Sequence, residues 1–249
     1  GCINQDEYAI ALGYSSGYTS QGDQSVAIGV CAGEDTQQEY AVALGHHAGQ
    51  TNQGQYGIAI GQEAGADSQQ SNSIAIGQNA GYTNQGNFAV GIGYTSGYTN
   101  QGYAAVALGP IAGNNTQDQY AVAVGNRAGE TTQGYGAVAL GSTSGQTNQG
   151  AYTVGIGFSA GSSNQGEYGV AIGKSAGANV QSSAAIAIGS NAGLENQGYA
   201  AVALGPNAGL THQRTYAVAI GTGSGQTNQG TSAVAVGVGS GSVGQGTNA

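Results

Sequence analysis

Asn72-Ser73-Ile74-Ala75-Ile76-Gly77, continued by Gln78-Asn79-Ala80-Gly81-Tyr82-Thr83-Asn84-Gln85-Gly86, decides how the whole chain reads. It is one copy of a sixteen-residue unit, and the glycine that closes Ile-Ala-Ile-Gly returns every 16 residues from Gly13 to Gly237 without insertion or deletion. A period this short and this strict predicts a solenoid in which each repeat is one coil.

With the period fixed, the sequence becomes a set of stacked columns numbered from the repeat glycine. Three residues before it stands only Val or Ile, and one before it only Leu, Ile or Val. This β-branched, period-two pattern predicts a short strand. Between them stands Ala, replaced only by Gly91 and Gly155, and four before the glycine stands Ala, Ser, Gly or Thr. Both strand faces are therefore restricted, one to branched aliphatics and the other to small groups. Two arrangements satisfy this: a thin lumen takes the small face while other chains cover the branched one, or a dry two-layer lumen takes both. Coils stacked in register give parallel sheets, and about fifteen coils at about 4.8 Å each predict a body roughly 75 Å long. The expected organisation is a single repeat solenoid over 1–249 with no separate caps.

The second half of the unit has its own fixed points. Three after the repeat glycine stands Ala or Ser, four after it always Gly, and eight after it always Gln. Glycine fixed at two turn positions predicts positive φ or close approach of neighbouring chain. The Gln column is Gln21, Gln37, Gln53, Gln69, Gln85, Gln101, Gln117, Gln133, Gln149, Gln165, Gln181, Gln197, Gln213, Gln229 and Gln245. An amide fixed between variable neighbours predicts a stacked ladder, each side chain bonding that of the next coil. The columns one and two after the glycine vary freely and read as a solvent-facing turn. Five or six before it lie most tyrosines, among them Tyr40, Tyr56, Tyr120, Tyr152, Tyr168 and Tyr216, with Phe88 in the same row.

Composition narrows the function classes. Glycine is 49 of 249 residues but proline only 2, which separates this chain from collagen-like and disordered glycine-rich sequences. Only 6 % of residues are charged and the net charge is −9, with Arg127, Lys174 and Arg214 the sole cations. Nucleic-acid binding needs a basic stripe and is excluded. No apolar run approaches the roughly 20 residues of a membrane-spanning helix, so no membrane insertion is expected. The absence of methionine, even at position 1, predicts a processed product or a segment of something longer. The chain enters and leaves the repeat mid-unit, which predicts either a fragment of a longer shaft or a subunit whose open sheet edges stack end to end.

Asn72-Ser73-Ile74-Ala75-Ile76-Gly77, Ser25-Val26-Ala27-Ile28-Gly29 and the other Val-Ala-Ile/Leu-Gly stretches resemble the head repeat of YadA-like trimeric autotransporter adhesins, and also fibre repeats of bacteriophages and large viruses. The resemblance covers about half of each unit along the whole chain. The period is longer than is usual in that family, and the Ala-Gly-x-Thr-Asn-Gln-Gly half is worded differently. The resemblance implies a left-handed parallel β-roll, a homotrimer, and an extracellular, cell-surface or virion-surface fibre or adhesin shaft. The tyrosine rows are then the expected adhesive surface, since tyrosine gives contact area at low entropic cost.

Catalysis needs converging titratable groups, and the twelve carboxylates and three histidines are scattered over outer columns. The expectation is a non-enzymatic protein without cofactors; a tailspike-like glycan hydrolase would need paired acids. Glu7, Asp23 and Glu39 share one column on three successive coils, a weak cation candidate against the plainer reading of a solvated acidic edge. His46 and His47 are a candidate metal-binding pair, set against the expectation that adjacent side chains on a strand or turn point apart. Cys2 and Cys31 differ by about two coils and lie in different columns, beyond regular disulfide reach, so Cys2 could instead link chains. Asn114-Asn115-Thr116 is a glycosylation sequon on a column expected to be exposed. The reading from another class is an ice-binding solenoid with a Thr row six after the glycine; Asp35, Asp67, Asn115, Asn179 and Glu195 interrupt that row.

Overall fold

The computed structural model describes residues 3–249, in which there are strands and turns but no helix. Contacts divide the chain into two compact units, one ending at Ala123 and the other beginning at Val124. Each is an all-β parallel solenoid built from the same sixteen-residue coil, with about fifteen coils in the chain.

In the first unit the strand Ile74–Ile76 pairs in parallel with Ile58–Ile60 on one side and Val90–Ile92 on the other. Thr83–Gln85 pairs likewise with Asp67–Gln69 and Thr99–Gln101. Each coil thus gives one three-residue strand to each of two sheets, and every partner lies 16 residues away. The second unit repeats this: Val170–Ile172 lies between Val154–Ile156 and Ile186–Ile188, and Asn179–Gln181 between Ser163–Gln165 and Glu195–Gln197. Towards residue 249 the Gln-bearing strand thins to single bridges through Thr211, Thr227 and Val243.

The lumen takes the small face. Ala27, Ala43, Ala59 and Ala75 from the strand, with Ala32, Ala48, Ala64 and Ala80 from the turn, form a fully buried cluster in the first unit. Ala171, Ala187, Ala203 and Ala219 do the same in the second with Ala160, Ala176, Ala192 and Ala208. The largest fully buried side chains are the glutamines. Val, Ile and Leu, which fill most protein cores, here lie on the outside of the coil. Of the two arrangements open to the sequence, the two-layer lumen that buries both faces is therefore not the one formed. An alternating strand shows only one side to a lumen, and a lumen one alanine deep has no room for the other.

Both glycine columns are required by space as well as by φ. At Gly77, φ is 125° and an added Cβ would lie 2.6 Å from the carbonyl oxygen of Gly93 on the next coil. At Gly81, φ is 54° and a Cβ would sit 2.8 Å from the Gln85 side-chain amide. Three further positions per coil have positive φ and are mostly not glycine, as at Asn72, Asn79 and Asn84, with Gly136, Gly223, Gly239 and Gly244 the exceptions.

Candidate functional site

The invariant glutamines reach across the lumen. Gln85 Nε2 donates to the Ile74 carbonyl of the opposite strand at 2.8 Å and to Gln101 Oε1 of the next coil at 3.1 Å. Gln69 Nε2 donates in turn to Gln85 Oε1 at 3.1 Å. In the second unit Gln165, Gln181 and Gln197 repeat the chain at 3.0, 3.0 and 3.2 Å. A buried amide has two donors and an acceptor to satisfy, and the sixteen-residue repeat supplies partners from the next coil and the opposite sheet, except at Gln21 Oε1 and Gln149 Oε1, which are buried without one. The row is thus the polar half of the core and presents nothing to a ligand.

The outside of the coil carries two kinds of row. The first is aliphatic: Leu44, Ile92, Ile156, Ile188 and Ile220 are 36–41 % exposed, with the valines three residues before the glycine half-buried beside them. A contiguous apolar face of this kind on a chain with 6 % charge marks an interaction surface.

The second row is aromatic and follows the turn that precedes the Val-x-Ile strand. Tyr40 and Tyr56 stack with ring centroids 4.9 Å apart, and Tyr152 and Tyr168 at 5.4 Å, each pair nearly parallel. Where the position five before the glycine is small, as at Ala104, Gly136 and Ala200, the preceding residue supplies the ring. Tyr103 then packs edge-on against both Phe88 and Tyr120, Tyr135 against Tyr152, and Tyr199 against Tyr216. Tyr40, Tyr56, Tyr120, Tyr152, Tyr168 and Tyr216 are 38–58 % exposed. Another stack, Tyr82 on Tyr98 at 5.0 Å, stands five residues after the glycine.

The threonine row is partly occupied with its own neighbours. Thr19 Oγ1 donates to Asp35 Oδ1 at 2.7 Å, so the acidic interruptions engage the hydroxyls beside them. In the acidic column, Glu7 and Glu39 are exposed and Asp23 is half-buried. Asp23 Oδ2 accepts from Gln24 Nε2, and Glu39 Oε2 from Gln55 Nε2. Asn114 is half-buried, its Nδ2 donating to the Thr95 carbonyl at 2.9 Å. Cys2 lies outside the described residues. Cys31 is a free thiol, and desolvation, followed by the Glu34 carboxylate beside it, pushes its pKa up.

The expectation that His46 and His47 point apart is overturned. Their rings stack at 3.9 Å. His47 has φ 56°, so the alternation expected of extended chain does not apply there. Among the described residues, these two and Glu63 are the group of three metal-ligand side chains whose donor atoms lie within 4.8 Å of one another. Sequence reasoning missed the group because Glu63 is 16 residues from His47; reading the column two after the glycine, Cys31, His47, Glu63, would have found it.

No curated protein matches the chain. Residues 53–80 match the model of the YadA head domain repeat, in two copies. That segment runs from Gln53 of one ladder rung through Ile58–Ile60 and Ile74–Ile76 to Ala80, so it spans both kinds of strand and the turns between them. Residues 53–80 therefore carry two repeats of the YadA head type, folded as parallel β-solenoid coils.

Proposed function

We propose that this protein is a homotrimeric, left-handed β-roll acting as an extracellular structural shaft or adhesin on a cell or virion surface, with no catalytic role. The observation that carries the proposal is the inversion of the usual core. Alanine and glutamine fill the lumen while Val, Ile and Leu line the outside. Exposed aliphatic rows leave apolar area in water at roughly 25 cal/mol per Å², and a self-complementary face repeated in register on every coil is a natural site for copies of the same chain. YadA-like head domains generally form homotrimers, which supports the same reading. One surface depression of the first unit is lined by amides and hydroxyls, among them Gln38, Asn52, Ser68 and Asn87.

In this reading the aliphatic rows face the trimer interior and the aromatic rows face outward. Stacked rings held at about 5 Å are already ordered, so a surface meeting them costs little further side-chain entropy. The test is attachment of the purified protein to a panel of immobilised matrix proteins, glycans and cells. Replacing Tyr40, Tyr56, Tyr152 and Tyr168 together by Ser is expected to reduce attachment at least about tenfold while leaving the far-ultraviolet spectrum unchanged. Attachment unaffected by those changes would remove the aromatic row from the proposal. Thermal hysteresis above that of a globular control would overturn the adhesin reading in favour of an ice-binding one. Copies that also joined end to end would give a particle mass that grows with concentration.

A further inference from the structure

We propose that His46, His47 and Glu63 form a binding site for a divalent transition-metal ion, of which zinc is the type. Three observations converge. The donor atoms of the three side chains lie within 4.8 Å of one another. Around a tetrahedral zinc with bonds of about 2.0–2.1 Å, donors stand about 3.3 Å apart, so the set has to close by about a further 1–2 Å to bind an ion. The two imidazoles lie together, ring centroids 3.9 Å apart at 17°, with His47 at φ 56°; because their lone pairs lie in the ring planes, the rings turn out of this stack to share one ion. The backbone places Glu63 on the coil next to His46: Glu63 N–H donates to the His46 carbonyl at 2.8 Å, as His47 N–H does to the Val30 carbonyl at 2.9 Å.

The residue types are also unusual for their columns. Elsewhere these two turn positions carry pairs such as Gln78-Asn79, Ser142-Thr143 and Ser190-Asn191, so the coil itself does not require imidazoles there. The chain has 3 histidines, and two of them are at this turn. Two neutral imidazoles and one carboxylate are the donor set of zinc sites that keep a fourth position open. His46 is exposed, so that position opens to solvent and can take water or a donor from an opposing surface. Cys31 stands in the His47 column one coil earlier, and its sulfur is not among the three donors.

The test is calorimetric titration of zinc chloride into the full chain. One ion per chain is expected, with a dissociation constant on the order of micromolar. His46→Ser and His47→Asn place residues that the same columns carry elsewhere, so they preserve the turn. Each, and Glu63→Gln, is expected to weaken binding at least about tenfold. Cys31→Ser is expected to leave stoichiometry and affinity within about twofold of the parent. No saturable binding by the parent, binding unchanged in His46→Ser and His47→Asn, or binding lost in Cys31→Ser would each overturn the assignment.

Discussion

Five positions in each coil sit at positive φ, and only two are always glycine. The other three are filled by whatever the outer surface needs: asparagine at Asn72, Asn79 and Asn84, but tyrosine at Tyr152, isoleucine at Ile111 and valine at Val180. A left-handed conformation costs an ordinary L-residue roughly 1–2 kcal/mol, least for asparagine. Val180 is therefore a strained point that can be relieved. It stands between Asn164 and Asn196, in a column where Asn148 Nδ2 already donates to Asn164 Oδ1 at 3.1 Å. Val180→Asn is expected to stabilise the protein by about 1 kcal/mol, read as slower amide exchange at Asn179 and Gln181. Unchanged or faster exchange would mean that the ladder does not extend through this position. The two glycine columns were legible because no other residue ever occupies them. The remaining three were not, because tyrosine and valine do not advertise positive φ; the recurrence of asparagine there was the available signal. The same backbone habit is what brought His46 and His47 together against the alternation rule.

At the scale of the strand, the two halves of the coil differ in how plainly they can be read. Val-x-Ile is a period-two strand with β-branched residues, and it pairs as such at Val26–Ile28, Ile58–Ile60 and Val170–Ile172. The Thr-Asn-Gln segment is three polar residues with a left-handed residue in the middle, such as Asn84, and carries no strand pattern of its own. What gives it away is the fixed glutamine. Gln181 donates to the Val170 carbonyl at 2.9 Å, the Ala185 carbonyl at 3.1 Å and Gln197 Oε1 at 3.0 Å, and accepts from Gln165 at 3.0 Å. Gln181→Ala would leave the buried Gln197 Oε1 without its donor and Gln165 Nε2 short of one acceptor, while the Ala185 carbonyl keeps the Val170 N–H; a buried polar group that water cannot reach costs about 1–3 kcal/mol. Because repeat arrays open locally, the expected outcome is loss of amide protection centred on residues 165–197, with more distant coils retained. Uniform loss along the chain would contradict nearest-neighbour stacking. The aromatic rows add a smaller term: a double-mutant cycle on Tyr152 and Tyr168 is expected to show coupling of about 0.5–1.5 kcal/mol from their stack.

At the scale of the molecule, the solenoid keeps its small residues inside and its branched ones outside, which leaves a chain whose most apolar face is not buried by its own fold. The restriction of both strand faces was visible in the columns. Which face the lumen would take was settled only by the diameter of the coil, since a lumen that accepts alanine and a spanning glutamine cannot also accept Ile60 and Leu44. The central claim is that copies of this chain cover that outer face. It is tested most directly by the mass of the particle in dilute solution, measured by light scattering behind size exclusion, for the parent chain and for a variant carrying Ile60→Lys and Ile76→Lys. The account predicts three times 24.2 kDa for the parent, independent of concentration, and a shift toward the single-chain mass for the variant, because a charge on the covered face is left unpaired. A parent that runs at 24.2 kDa with its outer aliphatic rows in water would contradict it.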